Sequence, residues 1–241
     1  VKVDVRGLES GRAYLYQFEV GGSFSPTGHT RTLPLETARL RLAVVACSNY
    51  PAGYFNAYAT IAHLDDLDAV VHLGDYIYEF ADRRSTDLVR RHSENADATT
   101  LAGYRNRYAQ YRLDPDLQAV HKAHPFIAIW DDHEFANDSW QDHSTHFNEK
   151  KGDEKDPAQR EAADRAWFEN QPADVFFDET ASYPNDIRIY RGLRWGRHLE
   201  MFLIDDRYYR ADHLIPEGPA DLSVGKFAAN SSLGSRNFVL K

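Results

Sequence analysis

Four apolar segments of the sequence each run into a cluster of side chains that could do chemistry. The clusters are Cys47-Ser48-Asn49, Asp75 with Tyr78, Asp131-Asp132-His133-Glu134, and Asp205-Asp206-Arg207. Ligand sites in open α/β sheets form outside the carboxyl ends of the strands, so adjacent strands would bring the clusters together. We therefore predict a single site that contains Cys47, Asn49, Asp75, Tyr78, Asp132, His133 and Asp205.

Metal binding is the chemistry that these residue types favour. Clustered carboxylates raise one another's pKa values, and a bound cation removes that cost by using their oxygens as ligands. Phenolate and carboxylate suit a hard Fe³⁺ ion, and a thiolate forms readily beside a strongly charged metal. A second site that uses Asp75, Asp132 and backbone or amide oxygens would suit Ca²⁺, Mg²⁺ or Mn²⁺.

Each of these residues also has a structural explanation. Asp75 could cap a helix, Asp132 could belong to a turn, and Cys47 could be an inert buried residue. Capping alone does not account for four polar clusters that all follow predicted strands, so the sequence favours a metal centre. Three other classes of protein are alternatives: a domain that binds phosphate or metal without turnover, a zinc hydrolase, and an adhesion module. The 11 histidines lack the spacing of a zinc hydrolase.

Charge and composition limit the partners. The net charge of −9 argues against a general nucleic-acid or anionic-membrane surface. An anionic substrate would therefore need local positive charge, most simply bound cations. One cysteine excludes an internal disulfide framework. No apolar run approaches the roughly 20 residues of a membrane helix, and no signal peptide is visible.

The N-terminal segment predicts a different type of structure from the rest. In residues 1–35, Val1, Val3 and Val5 alternate with polar residues, and a second alternation follows from Tyr14 to Val20. Two or three strands cannot bury a sandwich core alone. We therefore expect this segment to be the end of a β-sandwich.

From residue 39 onward the pattern predicts an α/β domain. Strands over 40–47 and 69–73 flank a helix over 55–65, which predicts a parallel β-α-β unit. The tyrosine stripe of a helix over 99–113 is expected to pack in the core. The remaining predictions are a strand over 125–130, a mobile surface loop over 141–160, a helix over 157–171, a strand-turn-strand over 187–205, and a loop-like tail over 216–241.

Three motifs together resemble the PhoD-type alkaline phosphatases, a branch of the metallophosphoesterases. They are Cys47-Ser48-Asn49-Tyr50, Gly74-Asp75-Tyr76-Ile77-Tyr78-Glu79 and Trp130-Asp131-Asp132-His133-Glu134. The resemblance implies a four-layer αββα core over 36–241, the N-terminal part of the catalytic domain, preceded by the last strands of an Fn3/Ig-like β-sandwich over 1–35. It also implies a secreted or periplasmic phosphatase and phosphodiesterase that acts on small-molecule phosphate esters. The implied cofactors are Fe³⁺ and Ca²⁺, with other divalent metals as alternatives at the second site, and the charge argues against a specific nucleic-acid partner.

The resemblance also assigns metal ligands by position. Cys47, Asp75 and Tyr78 would ligate the iron, with Asp75 bridging to the second metal. Asp132 occupies the position of a ligand asparagine in the wider superfamily, and Asn137 is a further ligand candidate for the second metal.

Two catalytic roles follow from the same comparison. His133 stands where the superfamily has the histidine that assists the leaving group, so we expect it to act as general acid. Arg207, together with Arg210, could hold phosphate oxygens, although packing or salt bridges explain both arginines almost as well. The predicted reaction is ester hydrolysis by a metal-activated water.

One departure from the family concerns the chain ends. The family continues into a later Gly-Asp-x-His segment that completes its metal site, and this sequence ends at Lys241 before such a segment. It also opens on Val1 inside a strand-like pattern. The resemblance therefore predicts an internal fragment whose active site is incomplete alone.

Overall fold

Short antiparallel strands form the N-terminal part of the protein. The computed structural model describes residues 2–82, 88–144 and 154–211. Strand β1 (Ala13–Tyr16) pairs with β4 (Gly28–Arg31), and β2 (Glu19–Val20) pairs with β3 (Ser23–Phe24). The predicted strand around Val3 and Val5 is wrong, because both side chains lie exposed in a segment without strand pairing.

A parallel three-stranded sheet forms the centre of the structure. Its strands are β5 (Leu42–Val45), β6 (Ala69–His72) and β7 (Phe126–Ala128), in the order β5-β6-β7. Val45 lies opposite His72, which lies opposite Ala128. Helix α1 (Asn56–Ala62) connects the first two strands. The predicted parallel β-α-β unit is therefore confirmed, and the carboxyl ends of all three strands lie at one edge.

Helices α2 (Leu101–Tyr111) and α3 (Pro115–Ala123) follow the second strand along the chain. Tyr104, Tyr108 and Tyr111 of α2 are 0% exposed, which confirms the prediction that this tyrosine stripe packs in the core. Helix α3 was not predicted. It begins after Asp114, whose carboxylate accepts hydrogen bonds from two backbone N–H groups of the first turn.

The prediction of a mobile surface loop over 141–160 is wrong for the residues of this range that the structure describes. Strands β8 (His143–Ser144) and β9 (Glu154–Lys155) form a small hairpin, and Asp142 and Ser144 are buried. Residues 145–153 lie outside the described residues. Helix α4 (Pro157–Asn170) begins as predicted, with the Asp156 side chain accepting from the Gln159 N–H. The predicted tail over 216–241 also lies outside the described residues.

The last described elements are four strands. They are β10 (Phe176–Phe177), β11 (Ile187–Arg188), β12 (Arg191–Trp195) and β13 (Leu199–Leu203). The strand-turn-strand prediction is confirmed for β12 and β13, whose turn contains Gly196 at φ +59°. Within the described part of the chain, these two strands pair with each other and not with the parallel sheet, so the chain around Asp205 does not continue a fourth parallel strand.

The two faces of the central sheet pack against different partners. Val70 and Ala128 point to the core that contains the tyrosines of α2 and Trp167 of α4. On the opposite face, Val71 and Ile127 pack against Trp195 and Leu203 of the β12–β13 hairpin, in a second cluster. Successive strand residues point to opposite faces, which explains the division. The result is a mixed α/β structure with helices, sheet and hairpin in successive layers.

No helix within the described ranges combines the length and apolar character needed to cross a membrane.

Candidate functional site

The tips of strands β5 and β6 hold two residues in a left-handed backbone conformation. Cys47 has φ +59° and Asp75 has φ +56°. Such a conformation costs about 1–3 kcal/mol per non-glycine residue and persists only where the surroundings impose it. Here the Cys47 N–H donates to the Gly74 carbonyl at 3.2 Å, and the Ser48 N–H donates to the Asp75 carbonyl at 2.8 Å. The two tips are thus joined residue by residue.

The carboxylate of Asp75 is the point where the predicted ligands meet. The Cys47 thiol donates to its Oδ2 at 3.3 Å, and the Tyr78 hydroxyl donates to the same oxygen at 3.1 Å. The His133 N–H donates to Oδ1 at 3.3 Å. Asp75 and Tyr78 are buried whereas Cys47 is exposed, so a thiol, a phenol and a carboxylate converge at a place that opens to solvent.

Asp132 and His133 bring further donor atoms to the same place. One ligating atom each from Asp75, Asp132 and His133 lies within 4.8 Å of the other two. Among the described residues, this is a group of His, Cys, Asp and Glu side chains that could hold a metal ion. These three residues supply oxygen and nitrogen donors, and the Cys47 sulfur lies 3.3 Å from Asp75. The residues therefore fit a metal centre.

The site holds protons when no cation balances its charges. Burial raises the pKa of Asp75 to about 7, and the charge of Asp132 adds to that rise. Burial and the Asp75 charge raise the pKa of Cys47 to about 11, and they raise the pKa of Tyr78 as well. A bound cation reverses this balance because it favours the anionic form of each donor. Metal binding at this site would therefore release protons.

A buried carboxylate sets the orientation of the His133 ring. Its Nδ1 lies 2.7 Å from Oε2 of Glu79. Burial alone would lower the pKa of His133, but the charges of Glu79, Asp132 and Asp75 outweigh it and raise the pKa to about 10. Because Glu79 occupies Nδ1, Nε2 is the ring nitrogen that remains for a ligand. Sequence reasoning did not assign a role to Glu79, although it closes the Gly74–Glu79 motif.

A second buried glutamate joins the tips of β6 and β7. Glu134 accepts from the backbone N–H groups of Asp75 at 2.9 Å, Tyr76 at 2.6 Å and Asp131 at 3.0 Å. Burial and the charge of Asp75 raise its pKa to about 8, against the opposing effect of the three N–H donors. Its presence in the Asp-Asp-His-Glu motif was the signal that could have predicted this role.

Arg207 lies inside an ion-pair network next to the site. Its Nε lies 2.6 Å from Asp131, one terminal nitrogen lies 3.5 Å from Asp138, and the other lies 3.7 Å from Asp132. Burial alone would raise the pKa of Asp132, but the charges of Arg207 and His133 outweigh it, and the net shift is downward. Arg210 joins the network through Asp138 at 3.8 Å. The arginine therefore supplies positive charge at the edge of the ligand cluster.

Three other predicted residues make local contacts. The Asn137 backbone N–H donates to Glu79 at 2.8 Å, which places Asn137 next to the His133 pair. Asn49 accepts from the Ala52 N–H in its own turn. Asp205 accepts from the Trp130 indole at 3.0 Å and from the Tyr208 N–H at 2.9 Å, so it ties the chain after β13 to the end of β7 and is not one of the three grouped residues.

Comparison with known proteins agrees with this arrangement. The family described as PhoD-like phosphatase matches residues 42–236, and the one described as PhoD-like phosphatase, N-terminal domain, matches residues 1–34. Alkaline phosphatase D of Bacillus subtilis (strain 168) is 37% identical over 235 residues, which cover 92% of this chain and 38% of that protein.

A solved structure titled "Structure of PhoD" is also similar. It has a TM-score of 0.74 and 35% identity, and the match covers 89% of this chain and 41% of that chain. The chain therefore spans about two fifths of the length of these two relatives. Both family matches and both relatives point to the same conclusion: the chain belongs to the PhoD-like phosphatase family.

Proposed function

We propose that the protein is a metal-dependent phosphoric ester hydrolase that acts on small-molecule phosphate monoesters and diesters, an alkaline phosphatase and phosphodiesterase of the PhoD type. The observation that carries the proposal is the convergence of the Cys47 thiol and the Tyr78 phenol on one oxygen of Asp75. The grouping of Asp75 with Asp132 and His133 supports it. So does the relative whose name is alkaline phosphatase D.

The donor types support specific cofactors. Cys47, Asp75 and Tyr78 would hold Fe³⁺, since phenolate and carboxylate oxygens suit a hard trivalent ion. Asp75, Asp132 and Asn137 would hold Ca²⁺ through oxygen atoms. When bound, the two ions supply Lewis-acid stabilisation of the phosphate ester and lower the pKa of a water molecule.

His133 would supply the proton for the leaving group. Its Nδ1 is held by Glu79, which leaves Nε2 as the nitrogen that can donate a proton and favours the protonated ring. Proton transfer by a positioned side chain typically contributes about 10²–10⁴-fold in rate. Glu79 is in this scheme a positioning residue, because it acts on the substrate only through His133.

Arg207 would orient the phosphate group. The contact between its terminal nitrogen and Asp132 is long, at 3.7 Å, so this nitrogen can turn to a phosphate oxygen while Nε stays on Asp131 at 2.6 Å. An arginine that keeps one carboxylate and gains a second anion retains its charge balance after binding. The negative net charge of the chain makes this local cation useful for an anionic substrate.

The proposal extends to architecture and location. Residues 36–241 would form the N-terminal part of a four-layer αββα catalytic domain, and the observed order of helices, sheet and hairpin supports three of those layers. Residues 1–35 would close an Fn3/Ig-like β-sandwich, which the N-terminal family match over residues 1–34 supports. The resemblance to PhoD-type phosphatases favours a secreted or periplasmic location.

Metal analysis of the purified protein, with a matched pair of variants, tests the proposal. We expect stoichiometric iron and a visible phenolate-to-iron absorption band. Tyr78→Phe should abolish the band because it removes the phenolate. Tyr54→Phe is the control, since Tyr54 is 63% exposed and takes no part in the ligand cluster. A colourless protein that contains only zinc would contradict the iron assignment.

An activity assay separates the enzyme from a non-catalytic relative. This chain and a longer chain of the same family architecture would be compared on a chromogenic phosphodiester. Turnover by either chain that disappears in Asp75→Asn supports hydrolysis at this site. Stoichiometric metal without turnover by either chain would identify a protein that binds metal or phosphate without catalysis.

A further inference from the structure

A buried histidine lies directly beneath the two left-handed strand tips. His72, the last residue of β6, is 0% exposed. Its Nε2 lies 3.1 Å from the Ser48 hydroxyl and 3.0 Å from the Tyr58 hydroxyl, and these two oxygens are 2.5 Å apart. The three side chains come from β6, from the loop after β5 and from helix α1. We call them the Ser48–Tyr58–His72 triangle.

The hydrogen bonds determine which nitrogen of His72 carries the proton. The Gly74 backbone N–H donates to Nδ1 at 3.3 Å, and because a backbone N–H can only donate, Nδ1 is unprotonated. Burial lowers the pKa of His72 to about 3, so the ring is neutral at neutral pH. Its one proton therefore sits on Nε2 and is donated into the triangle. The imidazole accepts from the Asp75 loop through Gly74 and donates to the paired hydroxyls of Ser48 and Tyr58.

These two loops need such support because their backbones are strained. The left-handed conformations of Cys47 and Asp75 persist only if surrounding contacts impose them. The backbone bonds between the tips fix the tips relative to each other. The triangle adds an anchor beneath both tips, and its third member, Tyr58, belongs to a helix that packs in the core.

We propose that His72 is a positioning residue that holds the Cys47 and Asp75 loops in the ligand-ready conformation before any ion binds. The consequence for metal affinity rests on the proposed function, whereas the effect on loop conformation does not. None of the three motifs that carry the family resemblance includes His72, and nothing in the catalytic scheme above uses it.

Variants of His72 can separate its two hydrogen-bonding functions. His72→Asn keeps an acceptor near the position of Nδ1 and loses the donor, whereas His72→Gln keeps a donor near the position of Nε2 and loses the acceptor. His72→Phe removes both. Ser48→Ala and Tyr58→Phe each remove one member of the triangle without changing the size of the core. Tyr108→Phe is the control, because it removes another buried hydroxyl that bonds to neither Ser48 nor His72.

Amide hydrogen exchange of the metal-free protein tests the positioning role. We expect His72→Phe to speed exchange at the Ser48 and Gly74 amides about 10-fold or more, equivalent to about 1.4 kcal/mol, relative to Val71 within β6. His72→Asn should expose Ser48 and spare Gly74, and His72→Gln should do the reverse. Equal acceleration at Val71, or no acceleration at either loop, would overturn the proposal, because it would show that His72 contributes only to global stability.

Titration with Cd²⁺ tests the consequence for the ligands. A cadmium–thiolate bond gives an ultraviolet charge-transfer absorption, which Cys47→Ser should abolish. We expect His72→Phe to weaken Cd²⁺ binding about 10- to 100-fold, the usual effect of removing a residue that orients a ligand. Tyr108→Phe should bind as the unaltered protein does.

Hydrogen exchange and Cd²⁺ titration distinguish a failure of the positioning role from a failure of the proposed metal centre. Unchanged Cd²⁺ affinity in His72→Phe overturns the link between the triangle and the ligands, even if exchange changes. An unaltered protein without a Cys47-dependent absorption contradicts the proposed metal centre, and the exchange pattern then decides the positioning role by itself.

Discussion

Two neighbouring groups of buried charged residues balance their charges in different ways. At the strand tips, the carboxylates of Asp131, Asp132 and Asp138 share the positive charge of Arg207. In the second group, Arg160 and Asp164 of helix α4 form a bidentate salt bridge, with Nε 3.1 Å from Oδ2 and Nη2 2.9 Å from Oδ1. The guanidinium lies 4.6 Å from the ring centre of Trp130. Since Trp130 immediately precedes Asp131, this pair supports the loop that carries the ligands.

Removal of one member of that pair should destabilise the protein strongly. Asp164→Ala leaves the guanidinium of Arg160 buried without its carboxylate, and we expect a loss of about 3–5 kcal/mol in the free energy of unfolding. Urea denaturation at neutral pH measures it. The matched control is Glu169→Ala on the same helix, which breaks ion pairs of Arg105 and Arg165 that are partly exposed and should cost less than about 1 kcal/mol. Equal losses for the two variants would contradict this account.

At the scale of the elements, the tips of β6 and β7 approach so closely that only glycine fits between them. Gly74 has φ +112°, a conformation that L side chains rarely adopt. A Cβ at this position would lie 2.2 Å from the Asp131 nitrogen and 2.5 Å from the Trp130 carbonyl carbon. Both neighbours are backbone atoms, so neither can move without shifting the end of β7.

Gly74→Ala should therefore separate the ends of the two strands. We expect a loss of more than about 2 kcal/mol in the free energy of unfolding, from backbone strain and the clash together. Urea denaturation again provides the measurement. Gly53→Ala is the control, because a Cβ there meets nothing within 4 Å and should leave stability almost unchanged. A Gly74→Ala variant as stable as Gly53→Ala would show that the tips are not packed as described.

Part of the site was predictable because strand ends are visible in the sequence. The apolar runs that precede Cys47, Asp75 and Asp132 predict parallel strands, and parallel strands place their carboxyl ends at one edge. The partner of each charged group was not predictable. The pairing of Arg207 with Asp131 spans 76 residues, and it depends on where the chain after β13 returns to the sheet.

Contacts between residues distant in sequence also explain why two elements were predicted wrongly or missed. The segment before α4 is rich in charge, which usually indicates solvent, yet Asp142 is buried and its backbone carbonyl accepts from the Asp156 N–H at 2.8 Å. Helix α3 is only nine residues long, and its cap residue Asp114 also pairs with Arg90 at 2.5 Å. Both features depend on tertiary contacts that no local pattern reveals.

At the scale of the whole molecule, the sheet is stabilised by packing on both faces. The helices cover one face, and the β12–β13 hairpin covers part of the other through Trp195 and Leu203. The hairpin itself is two-sided. Trp195 is 4% exposed, whereas Phe202 on the neighbouring strand is 70% exposed. Substitutions of these two side chains can therefore test whether the hairpin packs as a layer on the sheet.

Trp195→Ala should lower the free energy of unfolding by about 3–5 kcal/mol, because it removes buried surface between hairpin and sheet and leaves a cavity. Phe202→Ala should change it by less than about 0.5 kcal/mol, since its side chain is largely exposed. Urea denaturation of both variants decides the point. Similar small effects would mean that the hairpin does not form a layer on the sheet.

The parallel order β5-β6-β7 also governs the sequence of events in a newly made chain. The proposed ligands lie 28 residues apart from Cys47 to Asp75, and Asp132 follows only after β7, which begins at Phe126. Contacts between residues so distant along the chain form late, because loop closure must come first. We therefore expect the proposed cations to bind after the three strands have paired, and not to nucleate the fold as they do in zinc fingers. On this view the paired strand ends set the positions of the ligands before an ion arrives.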